Sequence, residues 1–162
     1  MEIAGLPLHP LVVHAAVVFI PLSALATIWF AVMPGWRWLT RWPTAVLAVG
    51  ALAVAWVARL SGQALLEARP FLLDSPTLRD QIQTHQERGS LLSLLMIPFA
   101  VLVVAAAWSL EGRSALASGR GARESKVPAL EKVFPAVLVL AALGVIVLAV
   151  LTGDAGSRAV WG

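Results

Sequence analysis

The chain has 162 residues, 59% of them hydrophobic and 13% charged, against about 45–50% apolar and about 25% charged in an ordinary soluble domain. With a mean hydropathy of +0.84, a soluble monomer could not hide its apolar surface, and a disordered chain, a coiled coil and a disulfide scaffold are excluded. The absence of cysteine removes thiolate catalysis, iron–sulfur ligation by this chain and c-type haem attachment, and a net charge of +3 spread between apolar runs indicates a lipid bilayer rather than nucleic acid as partner.

Four apolar runs reach the length of about 20 residues that a bilayer crossing takes. The first spans residues 10–33 and is broken only by His14 and small hydroxyl residues. No Lys or Arg precedes it, so it lacks the charged start of a cleaved signal peptide and is expected to be a retained helix. The second spans 43–66, with Arg59 and Gln63 near its end; the third spans 86–110 and the fourth 132–153. The runs lack the alternation of barrel strands, so helices are the way left to satisfy the backbone in lipid. The expected fold is all-α: a polytopic membrane protein built as a single four-helix transmembrane bundle. The segment 67–85 joins the second and third spans, and Asp74-Ser75-Pro76 has the form of a helix start within it. The segment 111–131, rich in Gly, Ser, Arg and Ala, is expected to be a flexible loop near anionic headgroups or a plain solvated linker.

Orientation follows from the cations. Arg37, Arg41, Arg113, Arg120, Arg123, Lys126 and Lys132 make seven on one side; Arg59, Arg69, Arg79, Arg88 and Arg158 make five on the other, offset by six acids. The bias places both termini outside, which in a bacterium is the periplasm, and the 111–131 loop in the cytoplasm. Trp36, Trp38 and Trp42 flank Arg37 and Arg41 as an interfacial belt.

A concealed repeat runs through the chain. Leu60-Ser61-Gly62-Gln63-Ala64 closes the second run and Leu151-Thr152-Gly153-Asp154-Ala155 the fourth, after Pro43 and Pro135 respectively. Ile20-Pro21 and Ile97-Pro98 fall at comparable depths in the first and third, with His9 and His85 upstream of them. Two tandem hairpins in one orientation predict a pseudo-two-fold axis along the membrane normal, with Gly62 and Gly153 as equivalent points of close helix approach.

All three histidines fall at the outer end, with Ser61, Gln63, Thr152, Asp154 and Arg59, whereas the cytoplasmic half has almost no polar residue expected to be buried. Ionisable groups inside a membrane are costly and usually functional. Pro10 suits a first helical turn, which places His9 near the N-cap. His14 lies five residues on, about 140° around the helix, so the two do not share a face. His85 falls on the stripe Leu78, Ile82, His85, Gly89, Leu92. Two histidines on opposing helices, beside Gly62, Gly89 and Gly153, form a candidate site for a b-type haem. Depth and facing select His14 and His85 as the axial pair, with His9 as a capping or supporting residue; the repeat instead pairs His9 with His85. Arg59 and Arg88 stand at the height of haem propionates. The competing readings are structural hydrogen bonding by each histidine, a Cu or Zn site, or no cofactor, and simple snorkelling for Arg59.

The string Leu6-Pro7-Leu8-His9-Pro10-Leu11-Val12-Val13-His14 resembles a family of bacterial inner-membrane proteins that is grouped as a domain of unknown function and marked by an N-terminal HPxxVH pattern. The resemblance implies four helices, a Ser-Gly motif ending the second and a histidine before the third; His9, Pro10, His14, Ser61, Gly62 and His85 match those positions, and Ala15-Ala16 stands where the pattern has Phe-Pro. Family members joined to iron–sulfur domains imply a redox role. The leading expectation is therefore a haem-b-binding protein of the inner membrane, passing single electrons at the periplasmic face to or from a quinone or a redox partner protein. Metal handling, small-solute traffic, or a scaffold role in a homo-oligomer or larger membrane complex are the alternatives. No nucleophile–base set or phosphate loop suggests a stand-alone enzyme.

Overall fold

The computed structural model describes residues 2–3, 6–114 and 116–161. Four long helices form the molecule: α1 (Leu8–Val32), α2 (Arg37–Ala68), α3 (Pro76–Ser109) and α4 (Phe134–Trp161). A two-residue antiparallel pair, β1 (Glu2–Ile3) with β2 (Leu6–Pro7), precedes α1.

Proline marks four of the breaks around the helices. A residue before proline is pushed out of the helical region by the ring's Cδ. Met33 (φ −116°, ψ 72°) before Pro34 ends α1, and Arg69 (φ −136°, ψ 63°) before Pro70 ends α2. Ser75 (φ −79°, ψ 125°) precedes Pro76 at the start of α3, and Val127 (φ −138°, ψ 83°) precedes Pro128 shortly before α4. Each of these prolines opens a short 3-10 turn or a helix, where its missing N–H costs nothing.

All four helices are long and apolar enough to cross a membrane. They pack as a bundle in which α1 lies against α2 and α4, and α3 against α2 and α4, leaving α1 and α3 on one diagonal. The interior of α2 is lined by Ala45, Ala48, Ala51 and Ala55, small enough for helix backbones to approach closely where lipid leaves no hydrophobic drive for association. Phe30, Met96, Phe99 and Leu138 fill the space between. Large apolar side chains face outward: Val46 is 71% and Leu140 69% exposed. That inverted surface is one a bilayer covers.

Burial reveals the internal repeat. The buried residues of α1 are Ile20, Ser23, Ala24, Thr27, Phe30 and Ala31; 76 positions on, Met96, Phe99, Ala100, Val103, Ala106 and Ala107 are all buried in α3. His85 stands at the same offset from His9. Thr44, Ala48, Ala51 and Ser61 of α2 match Leu138, Ala142, Val145 and Ala155 of α4 at an offset of 94. These offsets correct the expected alignment. Gly62 corresponds to Gly156, not Gly153, and Pro21 and Pro98 are one residue out of step. Gly153 is exposed, and a Cβ on it would meet nothing within 4 Å. Three residues turn a helix to within about 60° of a full turn, enough to carry a position from the interior to the lipid face while the local residues still look alike.

The segment between α3 and α4, expected as a flexible loop, is laced to the bundle. Gly112 and Arg123 exchange both backbone hydrogen bonds (3.0 and 2.8 Å), Arg113 N–H donates to Pro34 O (3.2 Å) and Lys126 N–H to Ser109 O (2.9 Å).

A histidine pair across the bundle diagonal

His9 lies in the first turn of α1, with Leu8 as the first helical residue. Its ring turns into the bundle. The Nδ1–H donates to Ala58 O on α2 at 2.9 Å, with Ser61 Oγ at 3.3 Å. His85 on α3 repeats the arrangement, its Nδ1–H donating to Thr152 O on α4 at 3.0 Å. A carbonyl can only accept, so each Nδ1 carries the proton and the neutral ring keeps its lone pair on Nε2. Among the described residues neither Nε2 has a hydrogen-bond partner.

Four residues beyond each accepting carbonyl sits a glycine. A Cβ on Gly62 would fall 3.0 Å from His9 Cε1, and one on Gly156 2.9 Å from His85 Cε1. The two rings meet edge to face with centroids 6.2 Å apart. Two hairpins thus each supply a histidine, a carbonyl that orients it and a glycine that admits it, and the pseudo-two-fold axis passes between the rings.

His14 is elsewhere. It is exposed, and its Nδ1–H donates back to Pro10 O of its own helix at 2.6 Å. The expectation that His9 and His14 occupy different faces matches this placement, but the inward one is His9. The reason is register. His9 lies eleven residues before the buried Ile20, close to three full turns of about 3.6 residues each, so it falls on the buried stripe. The hydroxyls of Ser23 and Thr27 mark that stripe, since a membrane helix turns such groups inward. Counting back from them reaches His9.

The cationic residues singled out near the site brace helices. Arg59 Nη1 donates to Ser93 Oγ (3.3 Å) and its guanidinium lies over the Trp56 ring (5.2 Å), tying α2 to α3. Arg88, one turn beyond His85, donates from Nη1 to Leu151 O (2.9 Å) and lines an open polar groove with Thr84, Asp154 and Arg158. A Cβ on Gly89 would meet Thr152 Cγ2 at an ordinary 3.7 Å, so close approach does not require a glycine there. Among the described residues there is no group of three or more His, Cys, Asp or Glu side chains that could hold a metal ion.

The opposite end of the bundle overturns the expectation that it buries almost nothing polar. Arg37 and Arg41 are 3% and 6% exposed. Arg37 folds back across the α1–α2 turn to the last carbonyls of α1, with Nε donating to Phe30 O (3.1 Å) and Nη2 to Ala31 O (3.0 Å). Its Nη1 pairs with Glu131 Oε2 at 3.1 Å, and Glu131 Oε1 accepts the Glu111 N–H. Helix ends leave carbonyls without intrahelical donors, and an arginine a few residues after α1 is well placed to satisfy them. In the sequence Arg37 and Arg41 signal orientation alone, because the carbonyls that Arg37 reaches are set only by the α1–α2 turn.

A family model described as a predicted membrane protein, DUF2231, matches residues 5–162. No curated protein and no solved structure matches the chain. With four membrane-length helices and a family match across nearly all of its length, the chain belongs to the DUF2231 family of predicted membrane proteins.

Proposed function

We propose that this protein binds a b-type haem through His9 and His85 and exchanges single electrons at the histidine end of the bundle. The observation that carries the reading is the paired arrangement itself. Both imidazoles have the Nδ1–H committed to a backbone carbonyl and the Nε2 lone pair left free, the state in which histidine ligates metals. The two rings face each other across the bundle with centroids 6.2 Å apart, so His9 and His85 together would hold a metal centre between them.

The donor set favours haem over a bare ion. A structural zinc takes four protein ligands, and no third His, Cys, Asp or Glu joins the pair among the described residues. Haem iron brings four equatorial nitrogens and asks the protein for the axial ones. Gly62 and Gly156, which carry no side chain, let the two imidazoles sit against α2 and α4 and turn toward one another. Arg88, at the wall of a polar groove one turn from His85, supplies a guanidinium for a propionate. His9 and His85 would hold the haem, oriented by Ala58 O and Thr152 O, and the group would supply one-electron chemistry there. The cation bias supports a reading in which this end and both termini face the periplasm of a bacterial inner membrane, with a quinone or a redox protein as electron partner.

Reduced-minus-oxidised absorption spectra of the full chain, purified in detergent from haem-replete cells, test the reading. The expected result is a b-type difference spectrum lost in His9→Ala and His85→Ala and retained in His14→Ala. A folded wild type without haem refutes it, and loss of haem in His14→Ala alone refutes the ligand assignment. Cysteines at Ser118 and Thr77 should label from opposite sides of sealed cells, position 77 from outside; labelling of 118 from outside refutes the orientation.

A further inference from the structure

At the end of the bundle opposite the histidines, positive charge is gathered without matching negative charge. Arg37 has Glu131. Arg41, one turn further along α2, is 6% exposed, and no carboxylate forms a salt bridge with it among the described residues. Its Nε reaches the carbonyl of Arg37 at 3.4 Å, and neither Nη1 nor Nη2 has a hydrogen-bond acceptor among the described residues. The guanidiniums of Arg37 and Arg123 add charge of the same sign around it. Trp38, three residues before Arg41, has a buried Nε1 with no acceptor. Buried donors without partners are costly, and a buried charge without one is costlier.

The 111–126 loop is shaped to cover these groups. A Cβ on Gly112 would lie 2.8 Å from Arg41 Nη2, and one on Gly121, at φ +83°, would lie 2.7 Å from the Trp38 side chain. The Gly112–Arg123 bridge brings Arg123 over the same place; its Nη2 donates to Trp108 O at 2.7 Å, and Lys126 Nζ stands 3.2 Å from the Trp108 ring centroid. Trp36, Leu39 and Trp42 on the same stretch of α2 are exposed, as residues at a membrane boundary are.

We propose that Arg41, Arg123 and Trp38 form a binding site for a phosphate group, supplied by the headgroup of an anionic lipid. The chemistry is that of a phosphate oxygen set: two guanidiniums offer planar paired donors and the indole a third. One bound phosphate offsets the excess charge and gives the buried Trp38 Nε1–H an acceptor. The exposed tryptophans beside the site favour a lipid phosphate over a free one.

Binding of phosphatidylglycerol and phosphatidylcholine to the detergent-purified full chain tests this, with inorganic phosphate as competitor. Phosphatidylglycerol should bind about tenfold or more tightly than phosphatidylcholine, and Arg41→Gln should remove about tenfold of that affinity, the effect of one charge-assisted contact. Arg113→Gln, whose side chain pairs with Glu111 at the exposed loop surface, should change nothing. Displacement by inorganic phosphate identifies a general phosphate site; its failure to displace the lipid identifies a lipid headgroup site. Equal binding of the two lipids with no effect of phosphate overturns the proposal. Should Arg41→Gln fail to fold, Arg123→Gln carries the test, and undiminished binding in that folded variant overturns it equally.

Discussion

Replacing Arg37 with methionine probes the polar knot at the loop end of the bundle. Methionine keeps an unbranched side chain against Phe30 and removes the guanidinium. In the native protein that group donates to Phe30 O, Ala31 O and Glu111 O and pairs with Glu131 at 3.1 Å. The side chains of Arg37 and Glu131 are 4% and 19% exposed, so the ion pair is largely shielded from water. Removing one partner of such a pair strands the other, at about 3–5 kcal/mol. The freed carbonyls of α1 also lose a cation that favoured the negative end of that helix, worth about 0.3–1 kcal/mol. Arg37→Met should therefore destabilise by about 3–5 kcal/mol. The double variant Arg37→Met, Glu131→Leu should cost less than that single one, because no charge is then stranded. Arg113→Met is the control: its pair with Glu111 has side-chain exposures of 73% and 28%, so its loss should cost under about 1 kcal/mol. Unfolding by titrated denaturing detergent, followed by circular dichroism in micelles, measures all three. Equal losses for Arg37→Met and Arg113→Met would refute the claim that the buried knot holds this end together.

Gly156→Ala places a methyl against the His85 ring, and Gly62→Ala does the same at His9. Each should weaken haem retention about fivefold by pushing its ring off a carbonyl, at about 1 kcal/mol per hydrogen bond, whereas Gly153→Ala should leave haem content at the wild-type level. Equal effects at positions 153 and 156 would contradict the repeat register read from burial. Ser23 is fully buried and its Oγ has no partner, so Ser23→Ala should be neutral or stabilise by up to about 1 kcal/mol in the same unfolding assay; a loss above about 1 kcal/mol would mean the hydroxyl is in use.

Much of the fold is legible in one dimension. Apolar runs of membrane length and the prolines at 34, 70, 76 and 128 are enough to place four helices and their breaks, since hydropathy and the proline ring act locally wherever they occur. The gathering of the histidines, Ser61 and Thr152 at one end is legible too, because chain direction reverses with every span. The inward face is harder to see. These helices are apolar on all sides, so no amphipathic stripe distinguishes His9 from His14, and only the hydroxyls of Ser23 and Thr27 hint at the interior. The repeat was visible but mis-registered, because Leu, Ala and Gly match easily at the wrong offset.

The all-α class and the number of long apolar helices were determined by the sequence alone, since they depend on what each residue and its immediate neighbours are; α2, α3 and α4 extend beyond the apolar runs at 43–66, 86–110 and 132–153. The pairing of His9 with His85, the equivalence of Gly62 with Gly156 and the burial of Arg37 and Arg41 were decided by tertiary structure. An imidazole turns toward the carbonyl that a neighbouring helix presents, and a guanidinium folds onto helix-end carbonyls brought within its reach, so neither partner is defined until the helices have packed.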